Sequence, residues 1–390
     1  MKARFDVDPA PLTLVAADQE QRPARTDWSF VFGDPRIDVG AGGEARYVVA
    51  VSGDAVSGAG RFVHVPETWT RGERERDNRL QALALAGVIV FFAAGIAALV
   101  VGILGWIRHR VDGRALAIVA TAMFAIALAT AANGWPSIAM QLSTTEPLSA
   151  QLAMRIAGAI AAALVAALLA GLCAGVGAFG ARMSPPLLRI GRWPATLAAV
   201  AAGAFVVGLQ ASLTALGTPD APTWPSGGWA SQASRYAGAV LSGVSFVGVA
   251  SAELFVVYVV GRLTRGFTQR LWLAVAIVLV LECAVALAQG RANLAGALLG
   301  GVIAGAVASG VLLLLLRYDP RLVPAFAATI VLLDTAVKAA QSAALLPFAL
   351  DALAVIVVAA WFTRFLRRKS VPATLGELER TREKPGSDSD

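Results

Sequence analysis

The sequence contains few of the residues that build metal or disulfide sites. Its 390 residues include two histidines, His64 and His109, and two cysteines, Cys173 and Cys283. A catalytic zinc site needs about three protein ligands, usually with histidine among them, and the two cysteines are too far apart in the sequence to form a Cys-x-x-Cys pair. We therefore expect no metal, no cofactor and no disulfide framework.

Charged residues are also scarce, at 15% of the chain, whereas hydrophobic residues make up 57%. Soluble domains have roughly 25% charged residues, so this composition indicates a protein whose main partner is the lipid bilayer. The net charge of +7 does not indicate nucleic-acid binding, because most basic residues beyond the N-terminal segment lie in short connections between apolar runs.

Nine apolar runs approach the roughly 20 residues that a helix needs to span a bilayer. They cover residues 81–106, 115–133, 156–180, 194–216, 237–261, 271–289, 293–316, 322–341 and 344–363. The predicted fold class is therefore an all-α polytopic membrane protein with about nine transmembrane helices and a small N-terminal β-rich extramembrane segment. Because the turn at 341–342 is very short, the last two runs are expected to form either a hairpin or one broken helix.

The chain divides by composition into four segments. Residues 1–66 are polar and rich in strand formers, 67–79 form a charged connector, 80–366 carry the apolar runs, and 367–390 are polar. We expect a β-rich extracytoplasmic segment, a helical connector, a multi-pass transmembrane domain and a disordered cytoplasmic tail, in that order.

Three strands are predicted in the first segment, at residues 28–32, 45–51 and 61–65. The sequence Gly33-Asp34-Pro35 is expected to end the first strand, because it is a typical turn signal. A sheet of three strands has a thin core, so we do not expect it to be stable alone.

The connections between the runs predict the orientation of the chain. From the charged connector to Lys369, 15 basic residues lie after the first, third, fifth, seventh and ninth runs, and eight lie elsewhere. By the positive-inside rule, these connections and the C-terminus are expected in the cytoplasm and the N-terminus outside, in the plasma (inner) membrane. Residues 1–30 carry no export signal, so we expect either missing upstream sequence or a first span that acts as a reverse anchor.

Ionisable residues inside the runs are candidates for function, since a charge at the bilayer centre costs roughly 2.5 to 3.5 kcal/mol on insertion scales. They are Glu253, Glu282, Asp334, Lys338 and Asp351. The two at positions 334 and 338 are four residues apart, so they are expected to pair on one helix face. Glu253 is expected to be uncharged or hydrogen-bonded to Gln289, joining the fifth and sixth spans.

Small residues recur at the spacing of helix contacts. The pairs are Gly171 with Gly175, Gly296 with Gly300, and Gly301 with Gly305. Such pairs let helix backbones approach closely in membranes, so we interpret them as packing features without chemistry of their own.

Between Val240 and Ala340, three sequence features follow one another in a characteristic order. Glu253 lies on a helix that leads into a basic connection, Val285–Gly290 ends the sixth run, and Ile330–Asp334 lies on the eighth. In order and spacing the stretch resembles the CPBP family, which contains CaaX-type and bacteriocin-processing intramembrane proteases. The resemblance implies three candidate catalytic residues, namely Glu253, Gln289 and Asp334.

The chain departs from the family pattern at the positions that carry the chemistry. Ala252 replaces the first glutamate, Val257 replaces an arginine, and Gln289 and Ile330 stand where the family has histidines. With these departures, the resemblance implies a non-catalytic relative that acts by binding a membrane partner.

Two other functions stay open from the sequence. Glu253 and Asp334 could form the carboxylate pair of an intramembrane peptidase with an unconventional site. Alternatively, these two residues together with Glu282 and Asp351 could serve an ion-coupled transporter. Transporters often contain paired halves, and no internal repeat is recognisable in this sequence.

Overall fold

The structure is a computed structural model of the chain. It describes eight stretches: residues 7–23, 25–40, 42–143, 146–184, 191–216, 232–288, 294–340 and 345–367. The chain divides into two compact units, Met1–Ala82 and Leu83–Asp390. An antiparallel sheet dominates the first unit and long apolar helices form the second, which confirms the predicted fold class.

The sheet has four strands in sequence order, one more than predicted. The strands are β1 (Thr13–Gln21), β2 (Thr26–Asp38), β3 (Glu44–Ser52) and β4 (Ala55–His64). Strand β1 was missing from the prediction because it is exposed along almost its whole length, so it lacks the alternation that identifies a half-buried strand. It is a strand because it pairs with β2, from Thr13 opposite Gly33 to Gln21 opposite Thr26.

Strand β2 continues through Gly33-Asp34-Pro35, where we predicted its end. Its neighbour β1 begins opposite Gly33, and the pairing with β3 shifts beyond the same residue, so Pro35 lies where the ladder is already interrupted. Arg36 Nε and Nη2 each donate to the Asp34 carboxylate at 2.8 Å. These hydrogen bonds hold the pKa of Asp34 below its ordinary value and fix the irregular end of β2.

Nine helices in the described ranges are long and apolar enough to cross a membrane, as predicted. They are α1 (Glu67–Ile107), α2 (Gly113–Asn133), α3 (Leu148–Met183), α4 (Arg192–Leu216), α5 (Arg235–Leu263), α6 (Leu271–Ala288), α7 (Leu294–Val311), α8 (Val323–Ala340) and α9 (Leu345–Arg367). The charged stretch 67–79 is the beginning of α1. A π-helical turn, Leu312–Leu316, extends α7.

Helix α5 lies at the centre of the helical unit, in contact with α2, α3, α6, α8 and α9. Glycines make the closest approaches. A Cβ atom at Gly177 of α3 would lie 2.9 Å from Leu254 Cγ, and one at Gly180 would overlap the ring of Tyr258. On another side of α5, a Cβ atom at Gly243 would overlap the backbone of α9. Helix α5 therefore packs closely against the glycines of its interface with α3 and against the backbone of α9.

Two of the glycine pairs singled out in the sequence are helix contacts. A Cβ atom at Gly171 would lie 2.8 Å from Ala120 Cβ of α2, and one at Gly301 would lie 2.7 Å from Cys283 Cα of α6. These contacts confirm that these two pairs serve packing.

Helices α8 and α9 form a hairpin. Thr335 Oγ1 of α8 donates to Asp351 Oδ2 of α9 at 3.1 Å. In one continuous helix these residues would be about 24 Å apart, at 1.5 Å per residue. The hydrogen bond therefore excludes a single helix for the last two spans.

We predict that Gly180→Ala destabilises the protein, because the new methyl group must displace the ring of Tyr258 from a packed contact. Overpacking of this kind costs about 1–3 kcal/mol, and thermal unfolding in detergent, followed by tryptophan fluorescence, should occur at a lower temperature. The matched control is Gly158→Ala in the same helix, where a Cβ atom meets nothing within 4 Å. Equal melting temperatures for the two variants would contradict the proposed helix contact.

Candidate functional site

The five predicted intramembrane polar residues fall into two groups. Glu253 of α5 and Glu282 of α6 are partly buried and lie within electrostatic range of each other. The other three lie on the hairpin of α8 and α9. Gln289 lies outside the described residues, and within them no hydrogen bond reaches Glu253. A common site formed by Glu253, Gln289 and Asp334 therefore stays a prediction.

The polar residues on the hairpin of α8 and α9 differ in exposure. Asp334 and Lys338 form the predicted ion pair, with 2.5 Å between Oδ2 and Nζ, and both side chains are more than half exposed. Asp351 is buried, and its Oδ1 has no hydrogen-bond partner among the described residues. Across the described ranges, no three histidine, cysteine, aspartate or glutamate side chains are grouped as metal ligands would be.

A cavity of about 460 Å³ lies where α3 and α5 end. Its walls come from Arg110, from the last turns of both helices, from the turn after α5, and from Arg317 with Pro320. Connections that follow four different spans therefore meet at this cavity. Ligand pockets usually measure roughly 300–1,000 Å³, so the cavity is large enough for a small molecule or a headgroup.

The cavity is lined by four arginines, and no acidic residue is among its described lining residues. The arginines are Arg110, Arg262, Arg265 and Arg317. None of them forms an ion pair with a residue in the part of the chain that the structure describes. A cavity lined by cationic side chains and by no described carboxylate favours an anionic occupant.

The acidic residues near the cavity already have partners. Asp112 caps α2 by accepting from the backbone N–H of Arg114 and of Ala115, and it also forms an ion pair with Arg182. Asp319 Oδ1 accepts from the backbone N–H of Arg321 at 3.1 Å. Asp112 therefore neutralises Arg182 and Asp319 caps the backbone, and neither forms an ion pair with a cavity arginine.

The turn after α5 has an unusual backbone. Arg265, Gly266 and Phe267 are consecutive residues with φ of 49°, 74° and 62°. Such conformations cost non-glycine residues about 1–3 kcal/mol and persist only where the surroundings enforce them. Here the fully buried Thr264 does so, because its hydroxyl donates to Val260 O at 2.7 Å and accepts from the Phe267 N–H at 3.1 Å. The turn directs Arg265 to the cavity wall.

Arg317 also follows irregular backbone. Its N–H donates to Leu312 O at 2.9 Å, which closes the π-helical turn at the end of α7. Such turns are rare and frequently occur at functional sites. The guanidinium carbon of Arg317 lies 4.4 Å from the centroid of the Tyr318 ring, and its Nε has no hydrogen-bond partner in the described ranges.

Helix α5 supplies an aromatic ring and a charge to the same wall. Tyr258 and Arg262 are four residues apart and therefore share a helix face. Gly180 admits the Tyr258 ring, and Gly261 lies against the ring of Phe267 at 3.0 Å from a notional Cβ atom. The cavity thus combines cationic groups with aromatic surfaces.

In the sequence these arginines are explained by membrane topology, and the cavity was not predicted. A weak signal was present in Thr264-Arg265-Gly266, where one glycine follows an arginine directly beyond a helix end. Comparison with protein-family models, with curated proteins and with solved structures finds no match.

We predict that Thr264→Val destabilises the turn. The substitution keeps the shape of the side chain but leaves the Phe267 N–H without its acceptor, at a cost of about 1–3 kcal/mol. The melting temperature of the detergent-purified protein should fall. Thr196→Val is the control, since its hydroxyl donates to Arg192 O within an exposed part of α4. Loss of stability in the control as large as in Thr264→Val would contradict the role of this hydroxyl.

Proposed function

We propose that this multi-pass membrane protein functions by binding a phosphate-bearing anion in the arginine cavity, without catalysis at that site. The observation that supports the proposal is the group of four arginines around one cavity without a carboxylate partner among the described residues. Arginine is suited to this role because its planar guanidinium group binds phosphate oxygens in pairs.

The distribution of polar groups favours binding over chemistry. A hydrolytic site needs a general acid or base near the reacting group, and the described lining residues include no Asp, Glu or His. The intramembrane carboxylate Glu253 adjoins the lining residue Leu254 in sequence, but it is not itself among the lining residues. A binding role is also what the departures from the protease pattern imply.

Membership of the CPBP family is part of this proposal. Its support is the order of Glu253, the basic connection after it, and Ile330–Asp334 on the eighth span. In that framework the protein is a non-catalytic relative, because Gln289 and Ile330 occupy the histidine positions. The membrane partner that we expected from the sequence is then one that presents an anionic group to the arginines.

The proposed orientation places the arginine cavity in the cytoplasm, with the N-terminus outside the inner membrane. The positive-inside rule supports it, and so does the meeting of connections that follow four odd-numbered spans. Reporter fusions after Arg110 and after Arg270 should both report cytoplasm. A periplasmic signal at either position would refute this orientation.

We predict that the full-length protein in nonionic detergent binds inorganic pyrophosphate. Arg262→Gln and Arg110→Gln should each weaken binding about tenfold or more, since a hydrogen bond to a charged group contributes about 1.5–3 kcal/mol. Isothermal titration calorimetry gives the dissociation constants, which should also rise with salt concentration.

Arg114→Gln is the matched control for this titration. Arg114 lies at the beginning of α2, close in sequence to Arg110, but it is not among the cavity residues. Its replacement should leave the affinity unchanged. An equal loss in all three variants would indicate a general charge effect, and absence of binding by the wild type would refute the proposed function.

A further inference from the structure

A second, smaller cleft adjoins the arginine cavity. It measures about 180 Å³ and lies between the last turns of α1 and α5, with Val176 of α3 at its base. It shares Arg110, Tyr258 and Arg262 with the larger cavity. The two spaces therefore have one common wall, at which cationic side chains meet an aromatic ring.

The larger cavity and the smaller cleft differ in the side chains that line them. The larger cavity carries four arginines. The cleft also contains Arg108 beside the two shared arginines. The rest of its lining is mainly apolar and includes Val101, Leu104 and Val259. Its apolar rim is open, since Leu104 is 42% exposed and Leu263 is 49% exposed on helices of membrane-spanning length. A ligand with an anionic group for the arginines and a hydrocarbon part for the apolar lining fits both spaces.

Packing closes the cleft on the side away from the arginines. Ala98 of α1, Cys173 and Val176 of α3 and Phe255 of α5 form a buried apolar cluster there. Gly102 also lies directly against Leu172, since a Cβ atom would be 2.9 Å from Leu172 Cβ. A hydrocarbon chain in the cleft therefore has to leave past Leu104 and Leu263, which is the lipid-accessible side.

We infer that the ligand is an anionic lipid, whose phosphate headgroup lies among the four arginines and whose hydrocarbon chain begins in the adjoining cleft. This inference rests on the proposed function and specifies its ligand. Basic pockets between transmembrane helices bind such headgroups. Two of the four arginines donate to neutral oxygens, Arg265 to Gln269 Oε1 and Arg317 to the Tyr318 hydroxyl, and none has a carboxylate partner among the described residues. Four such cations match a headgroup with about two negative charges, as on a phosphomonoester, better than a headgroup with one.

The test compares lipids that differ in headgroup charge. Full-length protein in nonionic detergent is incubated with phosphatidic acid, phosphatidylglycerol or phosphatidylcholine of the same acyl chains, and retained lipid is measured by native mass spectrometry. We expect phosphatidic acid to be retained about tenfold more than phosphatidylcholine, with phosphatidylglycerol between them. Arg262→Gln should abolish the preference. Equal retention of the three lipids would overturn the inference.

A second arm tests the hydrocarbon part. Leu104→Trp should obstruct the cleft and weaken phosphatidic acid binding about fivefold or more, while pyrophosphate binding stays unchanged. Leu263→Trp on the opposite rim should act in the same way, so the result does not depend on one variant. Ile103→Trp is the control, since Ile103 is 47% exposed on the same helix but does not line the cleft.

The outcomes separate the two proposals. If glycerol 3-phosphate displaces pyrophosphate as well as phosphatidic acid does, or if neither rim variant affects lipid retention, the lipid inference is wrong and the anion site stands. If neither pyrophosphate nor phosphatidic acid binds to the wild type, both proposals fail.

Discussion

The close approach of α3 to α5 at Gly177 and Gly180 sets the geometry of the cavity. Lipid chains are as apolar as leucine, so helices in a membrane associate through close packing of small residues. Here the missing side chains of α3 leave room for Leu254 and Tyr258 of α5. The last turns of both helices consequently lie side by side, and the residues beyond them enclose one space. A larger residue at Gly180 would separate the helix ends that carry the cavity walls.

Electrostatics explains in part why arginines are stable at the C-terminal ends of α3 and α5. The C-terminal ends of α3 and α5 carry partial negative charge, which stabilises nearby cations by about 0.3–1 kcal/mol each. Arg321 uses the same property, because it donates to the carbonyl oxygens of Ala181 and Ser184 at the end of α3. Helix ends account for the presence of arginines, but they do not account for four of them around one cavity without a carboxylate among its described lining residues.

Features that depend on one stretch of sequence could be predicted, whereas features that form from distant stretches could not. The nine helices could be predicted because each is a long apolar run that is recognisable without its neighbours. Strand β1 was missed because its residues are exposed and only pairing with β2 defines it. The cavity was missed because Arg110, Arg265 and Arg317 come from separate connections, and membrane topology already explained each of them. The intramembrane carboxylates were conspicuous for the opposite reason: each is costly where it stands, whether or not it shares a site.

The turn after α5 links occupancy of the cavity to local stability. This turn carries left-handed conformations at Arg265 and Phe267, and both residues line the cavity. An anion bound as proposed would stabilise the folded form by about 2.7 kcal/mol at a ligand concentration one hundred times the dissociation constant. This free energy acts on the folded form as a whole, because the unfolded chain has no cavity. Local opening of the turn after α5 would remove Arg265 from the cavity wall, so the same bound anion would oppose that opening.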